Sequence, residues 1–300
     1  MELHKGSRSQ FHGGGAFVEI LMETILKQQN SGKKLQPDLK AFLEQRVAQF
    51  NQPSFIARDP VSIPHRYTRK ADREIAGFFA ATFAWGNRTT IINKSLELMK
   101  RMDDAPLDFV LHHRESDLRK LLGFTHRTFN DTDLLYFVHF LHAHYSGIHP
   151  RKVKGMDINS LESAFSQWLD PGDADTEKAL FGFYRYFTGL EDLPGRTRKH
   201  VASPERTSTC KRLNMFLRWM VRQDDTGVDF GIWTSIRPSQ LVCPVDLHVA
   251  RVARRFGLLK RTQTDWQAAL ELTANLRQLD PEDPVKFDFA LFGLGIDEKY

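Results

Sequence analysis

Cysteine is nearly absent from this 300-residue chain: only Cys210 and Cys243 occur. Two thiols cannot build a disulfide framework, a four-thiolate zinc site or a four-cysteine iron–sulfur cluster. A reducing, intracellular setting is the natural expectation. Long apolar runs are missing too, since none approaches the roughly 20 residues that span a bilayer. The first fifteen residues, Met1 to Gly15, are polar and glycine-rich and lack the apolar segment of a secretory leader. A soluble, cytoplasmic protein with no membrane partner is therefore expected. Alternating strand patterns are scarce, and no repeat of solenoid period recurs. With 41% hydrophobic and 26% charged residues the composition is that of a globular protein, which excludes wholesale disorder and fibrous folds.

What remains is helical periodicity. Apolar residues recur at three- and four-residue spacing over Ala16–Lys27, Leu39–Phe50, Asp72–Ala84, Thr89–Met102, Pro106–His113, Thr132–Tyr145, Ser160–Leu169 and Glu177–Phe187. The same spacing continues over Thr209–Arg222, Val245–Phe256, Asp265–Leu279 and Pro284–Leu294. Asp72–Ala84, with Ile75, Phe78, Phe79 and Phe83, is apolar nearly all round and reads as a helix buried on several sides. Asn51–Arg69 holds Pro53, Pro60 and Pro64 and reads as an extended connector; Leu190–Thr209 reads as a long polar loop. The fold class is all-α.

Charge is unevenly spread. The chain carries 42 Lys and Arg against 37 Asp and Glu, a net +5. Between Gly195 and Lys260 there are 13 basic and 5 acidic residues, an excess of 8 that leaves the remainder slightly acidic. Such a segment is either a solvated helix face or a footprint for a polyanion, most often nucleic acid. Within it lies Cys243-Pro244-Val245-Asp246-Leu247-His248-Val249-Ala250-Arg251, in which Asp246 stands at a helix start. A carboxylate there serves as an ordinary cap or as part of a site.

The run Pro244-Val245-Asp246-Leu247-His248-Val249, followed by an arginine-rich amphipathic helix, resembles the aspartate motif of the helix-hairpin-helix DNA glycosylase superfamily, which includes endonuclease III and 8-oxoguanine glycosylase. Other segments resemble that superfamily in the same chain order. Asp72–Met102 is similar to its first buried helix pair, with Ala84-Trp85-Gly86-Asn87-Arg88 at the turn beside the base pocket. Gly123-Phe124-Thr125-His126-Arg127 through Leu141 resembles its glycine-led turn and following helix, Cys210–Arg222 the helix that opens on a catalytic lysine, and Asp265–Gly295 its closing helix pair. More closely, Lys211–Arg222 resembles an uncharacterised bacterial family known only as a domain of unknown function.

The superfamily resemblance implies a two-lobed helical fold. Residues 72–222 would form a helical barrel lobe with an insertion near 147–205. Residues 36–71 and 240–300 would form the second lobe, and residues 1–35 a loosely ordered extension. It also implies a base-excision glycosylase, with or without abasic-site lyase activity, acting on damaged or abasic duplex DNA with no cofactor and no metal. In such an enzyme a nucleotide is everted from the stack, a lysine amine attacks the sugar C1′, and an aspartate stabilises the charge developing on the sugar. A free lysine titrates near 10.4, so desolvation or nearby positive charge must activate it. The roles fall on Lys211 as nucleophile and Asp246 as its electrostatic partner. Trp85, Asn87 and Arg88 would border the pocket. Thr207, Ser208, Thr209 and Arg212 would meet the backbone, and His248 and Arg251 the cleft or backbone.

The chain also departs from the superfamily pattern. Where the superfamily hairpin reads Leu-Pro-Gly-x-Gly, Ser203–Thr209 contains no glycine. The spacing from Lys211 to Asp246 is about twice the usual one, which requires Gln223–Gln240 to loop out between the helices. Leu193-Pro194-Gly195-Arg196-Thr197-Arg198-Lys199 reproduces the Leu-Pro-Gly signature and offers Lys199 as a rival lysine. A catalytically silent nucleic-acid-binding protein and a helical interaction protein stand as alternatives. The histidines at 139, 142, 144 and 149 lie on and after one helix, but no acid or thiol at a recognisable spacing completes a metal site.

Overall fold

The computed structural model describes residues 37–152 and 155–296. The expected Ala16–Lys27 helix and the residue 1–35 extension lie outside them. Among the described residues the elements run α1 (Pro37–Phe50), α2 (Pro53–Ile56), α3 (Lys70–Phe83), α4 (Arg88–Arg101), α5 (Pro106–His112) and α6 (Glu115–Leu118). A two-stranded ladder follows, β1 (Thr125–His126) and β2 (Phe129–Asn130), then α7 (Asp131–Tyr145), α8 (Glu162–Ser166) and α9 (Glu177–Phe187). The chain closes with α10 (Lys211–Val221), α11 (Leu247–Arg255), α12 (Trp266–Leu279) and α13 (Phe287–Ile296). The protein is thus mostly helical, and none of its described helices is long and apolar enough to cross a membrane.

Helix α3 is the hub. Ile75, Phe78, Phe79 and Phe83 are all fully buried, and the helix packs on α4, α5 and α10. On the far side α13 packs against both α1 and α11. Gly293 makes the first of those contacts possible, because a Cβ there would stand 2.3 Å from the Phe50 ring. One continuous hydrophobic cluster joins all of these helices. Residues near 147–205 contribute to it directly: the Phe165 and Phe183 rings stack 3.9 Å apart with no solvent exposure.

Two expectations need correction. Asn51–Arg69 is not extended. It folds as three short turns, Pro53–Ile56, Pro60–Ser62 and Pro64–Arg66, each with proline in its first positions. A helical start leaves its first N–H groups unpaired, so proline's missing donor costs nothing there and its fixed φ favours the turn. Leu190–Thr209 is likewise not a plain loop, since 3-10 turns occupy Gly195–His200 and Pro204–Arg206. Gln223–Gln240 does loop between α10 and α11, as the long lysine-to-aspartate spacing requires, and it packs onto the core. Phe230 N donates to Trp219 O and Trp233 N to Met220 O, at 2.7 and 2.9 Å, and Val228, Trp233 and Ile236 are buried. The strand pair carries no alternating pattern; its turn places Arg127 at φ 55°, and Thr125 pairs with Asn130 and His126 with Phe129.

The inserted segment also decides where much of the positive charge goes. Asp229, fully buried, accepts from Arg218 at 3.3 Å and from Arg222 at 3.2 Å. Arg218 also pairs with Asp288, and Arg222 with Asp224 at 2.7 Å and Asp283 at 2.9 Å. Burial pushes the Asp288 carboxyl up, against the opposing pull of Arg218, to about 6. Burial raises Asp229 and Asp283 in the same sense. These two arginines are therefore internal struts rather than part of a basic surface.

Candidate active site

Two helix starts meet to form the site. Helix α10 begins at Lys211, immediately after Cys210, which adopts a left-handed backbone at φ 52°. Thr207, three residues earlier, is also left-handed at φ 54°. Two non-glycine residues in that region within one short turn are unusual and cost backbone energy. The turn is held nonetheless: Asn214 Nδ2 donates to Thr209 O at 3.0 Å, and Cys210 N donates to Ser208 Oγ at 3.1 Å. Thr209 Oγ1 then donates to Val245 O at 2.8 Å, tying this turn to the residue before Asp246.

Asp246 caps α11. Its Oδ1 accepts from His248 N and Val249 N, each at 2.9 Å, which fixes the carboxylate's orientation. The other oxygen, Oδ2, faces Lys211 Nζ at 3.5 Å, and both side chains are 25% exposed. Helix cap and ion pair are thus combined in one carboxylate, each using a different oxygen.

This pair lies in a groove of about 710 Å³. Trp85, Arg88, Arg212, Met215, Leu247 and Phe292 are among its walls. Trp85 follows α3, at the turn where Gly86 takes φ 99°, a backbone that side chains with a Cβ rarely adopt. Its indole stacks with His126 and with His200, at 5.9 and 5.7 Å, and the Arg212 guanidinium sits 4.7 Å over it. Arg212 also donates to Thr82 O at 2.5 Å. No carboxylate among the described residues pairs with Arg212, and burial of that lone charge pushes its pKa down to about 10. Arg88 lies 5.2 Å over the Phe292 ring. The neighbouring Cys210 thiol is pushed by burial up to about 12, and burial raises Cys243 as well, so neither supplies a thiolate.

Of the residues singled out in the sequence, Lys211, Asp246, Trp85, Arg88, Ser208, Thr209, Arg212 and His248 line this one groove. Three do not. Asn87 caps α4, its Oδ1 accepting from Thr90 N at 3.1 Å. Thr207 faces a neighbouring cavity beside Trp266 and Phe181. Arg251 leans on α13, donating to Gly295 O at 3.2 Å. The rival Lys199 is exposed in the Gly195–His200 turn and is not part of the groove wall.

The basic segment is only partly a surface. Besides Arg218 and Arg222, Arg254 is spent on Arg261 O, Thr262 O and Thr264, and Arg196 on Thr128 O and Asp133. Among the described residues, the lysine and arginines that line the groove are Lys211, Arg212 and Arg88. The four histidines also have other partners or neighbours. His144 bonds Tyr186 Oη and Ser160 O, and His142 bonds Val110 O. His149 stacks on Tyr186 at 3.8 Å, and His139 lies against Tyr136. Among the described residues no group of three or more His, Cys, Asp or Glu could hold a metal ion.

Sequence reading missed Asp59, Met215 and Phe292, which line the same groove. Asp59-Pro60 carries a recognisable signal of its own, an N-cap residue before proline, but that signal speaks only of a turn start. A family model described as "Protein of unknown function (DUF2400)" matches residues 59–297, so the chain belongs to that family. The match begins at Asp59 and takes in every groove residue named above. No curated protein and no solved structure matches the chain.

Proposed function

We propose that the protein is a DNA base-excision glycosylase of the helix-hairpin-helix kind, with abasic-site lyase activity through Lys211. The observation that carries this reading is the 3.5 Å approach of Lys211 Nζ to Asp246 Oδ2 in a groove open to solvent and walled by Trp85, Arg88 and Arg212. An everted nucleotide needs such a concavity, an aromatic face and positive charge for its phosphates. The α10 start and the α11 start take the places of the lysine helix and the aspartate helix, and the α1/α11/α13 group takes that of the second lobe.

Lys211 attacks C1′ as the base departs, and Asp246 stabilises the positive charge that develops on the sugar and accepts the amine's proton. The C1′–O4′ bond then breaks with its electron pair on the ring oxygen, which takes up the proton that Asp246 received, and this leaves a protonated imine between Nζ and C1′. Borohydride reduces that imine to a stable amine, which makes the step measurable. Purified protein incubated with a duplex bearing one abasic site and borohydride is expected to give a covalent protein–DNA adduct. Lys211→Gln abolishes the adduct and Asp246→Asn diminishes it. The absence of any adduct with the wild-type chain, together with a salt-sensitive shift of the same duplex, would instead establish the silent binder that the glycine-free turn at Thr207–Cys210 favours.

A further inference from the structure

A second carboxylate belongs to the groove. Asp59 is only 5% exposed and lines the same cavity as Lys211 and Asp246. Its Oδ1 caps the Pro60–Ser62 turn by accepting from Val61 N at 3.0 Å. Its other oxygen makes no hydrogen bond among the described residues. The charged groups that act on it are Arg218, Arg88 and Lys211, the last two being groove residues. Asp246 is differently engaged, with one oxygen taken by two backbone donors and the other turned to the amine. Two acids therefore line one groove with Lys211, and only Asp59 has an uncommitted oxygen.

We infer that Asp59 is the general base of the strand-cleaving step, removing the C2′ proton of the sugar held on Lys211. This rests on the lysine reading above. Asp59 accepts the C2′ proton, and the electron pair of that C–H bond forms the C1′–C2′ double bond of an enamine. The enamine nitrogen then re-forms the imine, the double bond moves to C2′–C3′, and the C3′–O bond breaks with its electron pair leaving on the 3′-phosphate. Water finally releases the unsaturated aldehyde from Lys211. No oxidant or reductant is consumed. Burial holds the Asp59 carboxyl above the usual carboxylate range, which makes it a better base than an exposed aspartate, while the cations around it oppose that shift. Two carboxylates in unlike environments are a common way to divide two roles.

The test uses the full chain and a duplex with one abasic site. Asp59→Asn keeps the capping oxygen and removes the base, so strand cleavage is expected to fall far more than formation of the borohydride adduct does. Uncoupled strand cleavage under single-turnover conditions is expected to fall about 100-fold, at the low end of what a positioned base contributes. Asp59→Ser, which also caps a turn, should show the same split. Cleavage at the wild-type rate in both variants overturns the assignment while leaving the lysine reading intact. Equal loss of adduct and cleavage in variants with unchanged melting temperature also overturns it, because Asp59 then merely shapes the site. No adduct with the wild-type protein overturns both.

Discussion

Replacing Asp246 separates its two jobs, because each uses its own oxygen. Asp246→Ala removes the acceptor of two helix-start N–H groups, which costs about 1 kcal/mol and at most about 2 kcal/mol. It also removes an ion pair to Lys211 whose members are each 25% exposed, and such pairs contribute about 0–1 kcal/mol. The sum, about 1–2 kcal/mol, corresponds to a melting-temperature decrease of a few degrees, by the ~2–4 °C per kcal/mol usual for larger domains. Asp246→Asn keeps the capping oxygen and the shape and loses only the part-exposed ion pair, so its stability should lie within about 1 kcal/mol of wild type. Adduct formation on abasic DNA should nonetheless fall about 100-fold or more in both variants, the scale of losing one electrostatic stabiliser. Differential scanning calorimetry and borohydride trapping on the same preparations read the two quantities. Asp246→Asn as unstable as Asp246→Ala, or trapping at the wild-type rate in either, would refute the division of labour.

Other outcomes follow from particular contacts. Arg218→Met leaves Asp229 and Asp288 buried without their shared partner and should cost about 3–5 kcal/mol in urea unfolding, far more than removal of an exposed arginine. His144 is held down by burial to about 4, with the carbonyl of Ser160 at 3.0 Å and the Tyr186 hydroxyl as ring partners. The unfolded chain then binds the extra proton between pH 4 and 6.5, so stability is present above 6.5 and is lost as pH falls towards 4. The shift amounts to about 3 kcal/mol at most, and the melting-temperature slope in that window should flatten in His144→Gln. Gly293→Ala drives a methyl into the Phe50 ring and should cost about 1–3 kcal/mol, seen as a lower melting temperature. Arg88→Gln should weaken duplex binding, and the slope of log affinity against log salt should shrink by about 1 if Arg88 meets one phosphate.

Much of the helical architecture was legible because it is local. The Asp72–Ala84 pattern and the capping residue before Leu247 are statements about neighbours three or four apart, and the structure places helices at Lys70–Phe83 and Leu247–Arg255. The proline-rich connector was misread for a related reason: proline signals a break in a long helix and also the first position of a short one, and only packing of Val61 and Ile63 into the core selects the second. The groove was partly legible, through Lys211 and Asp246, but not through Asp59, whose neighbours in space are far away in the chain.

Sequence by itself determined where the chain turns and which helix faces are apolar, since backbone preference and periodicity act over a few residues. It also placed an amine and an acid at two helix starts. Only the tertiary structure decided which charges face each other: Arg212 and Arg218 lie one and seven residues after Lys211 on one helix, yet Arg212 lines the groove and Arg218 is locked between buried carboxylates. Composition treats those two side chains alike, and burial separates them, because a charge withdrawn from water must find a counter-charge or be left facing a site.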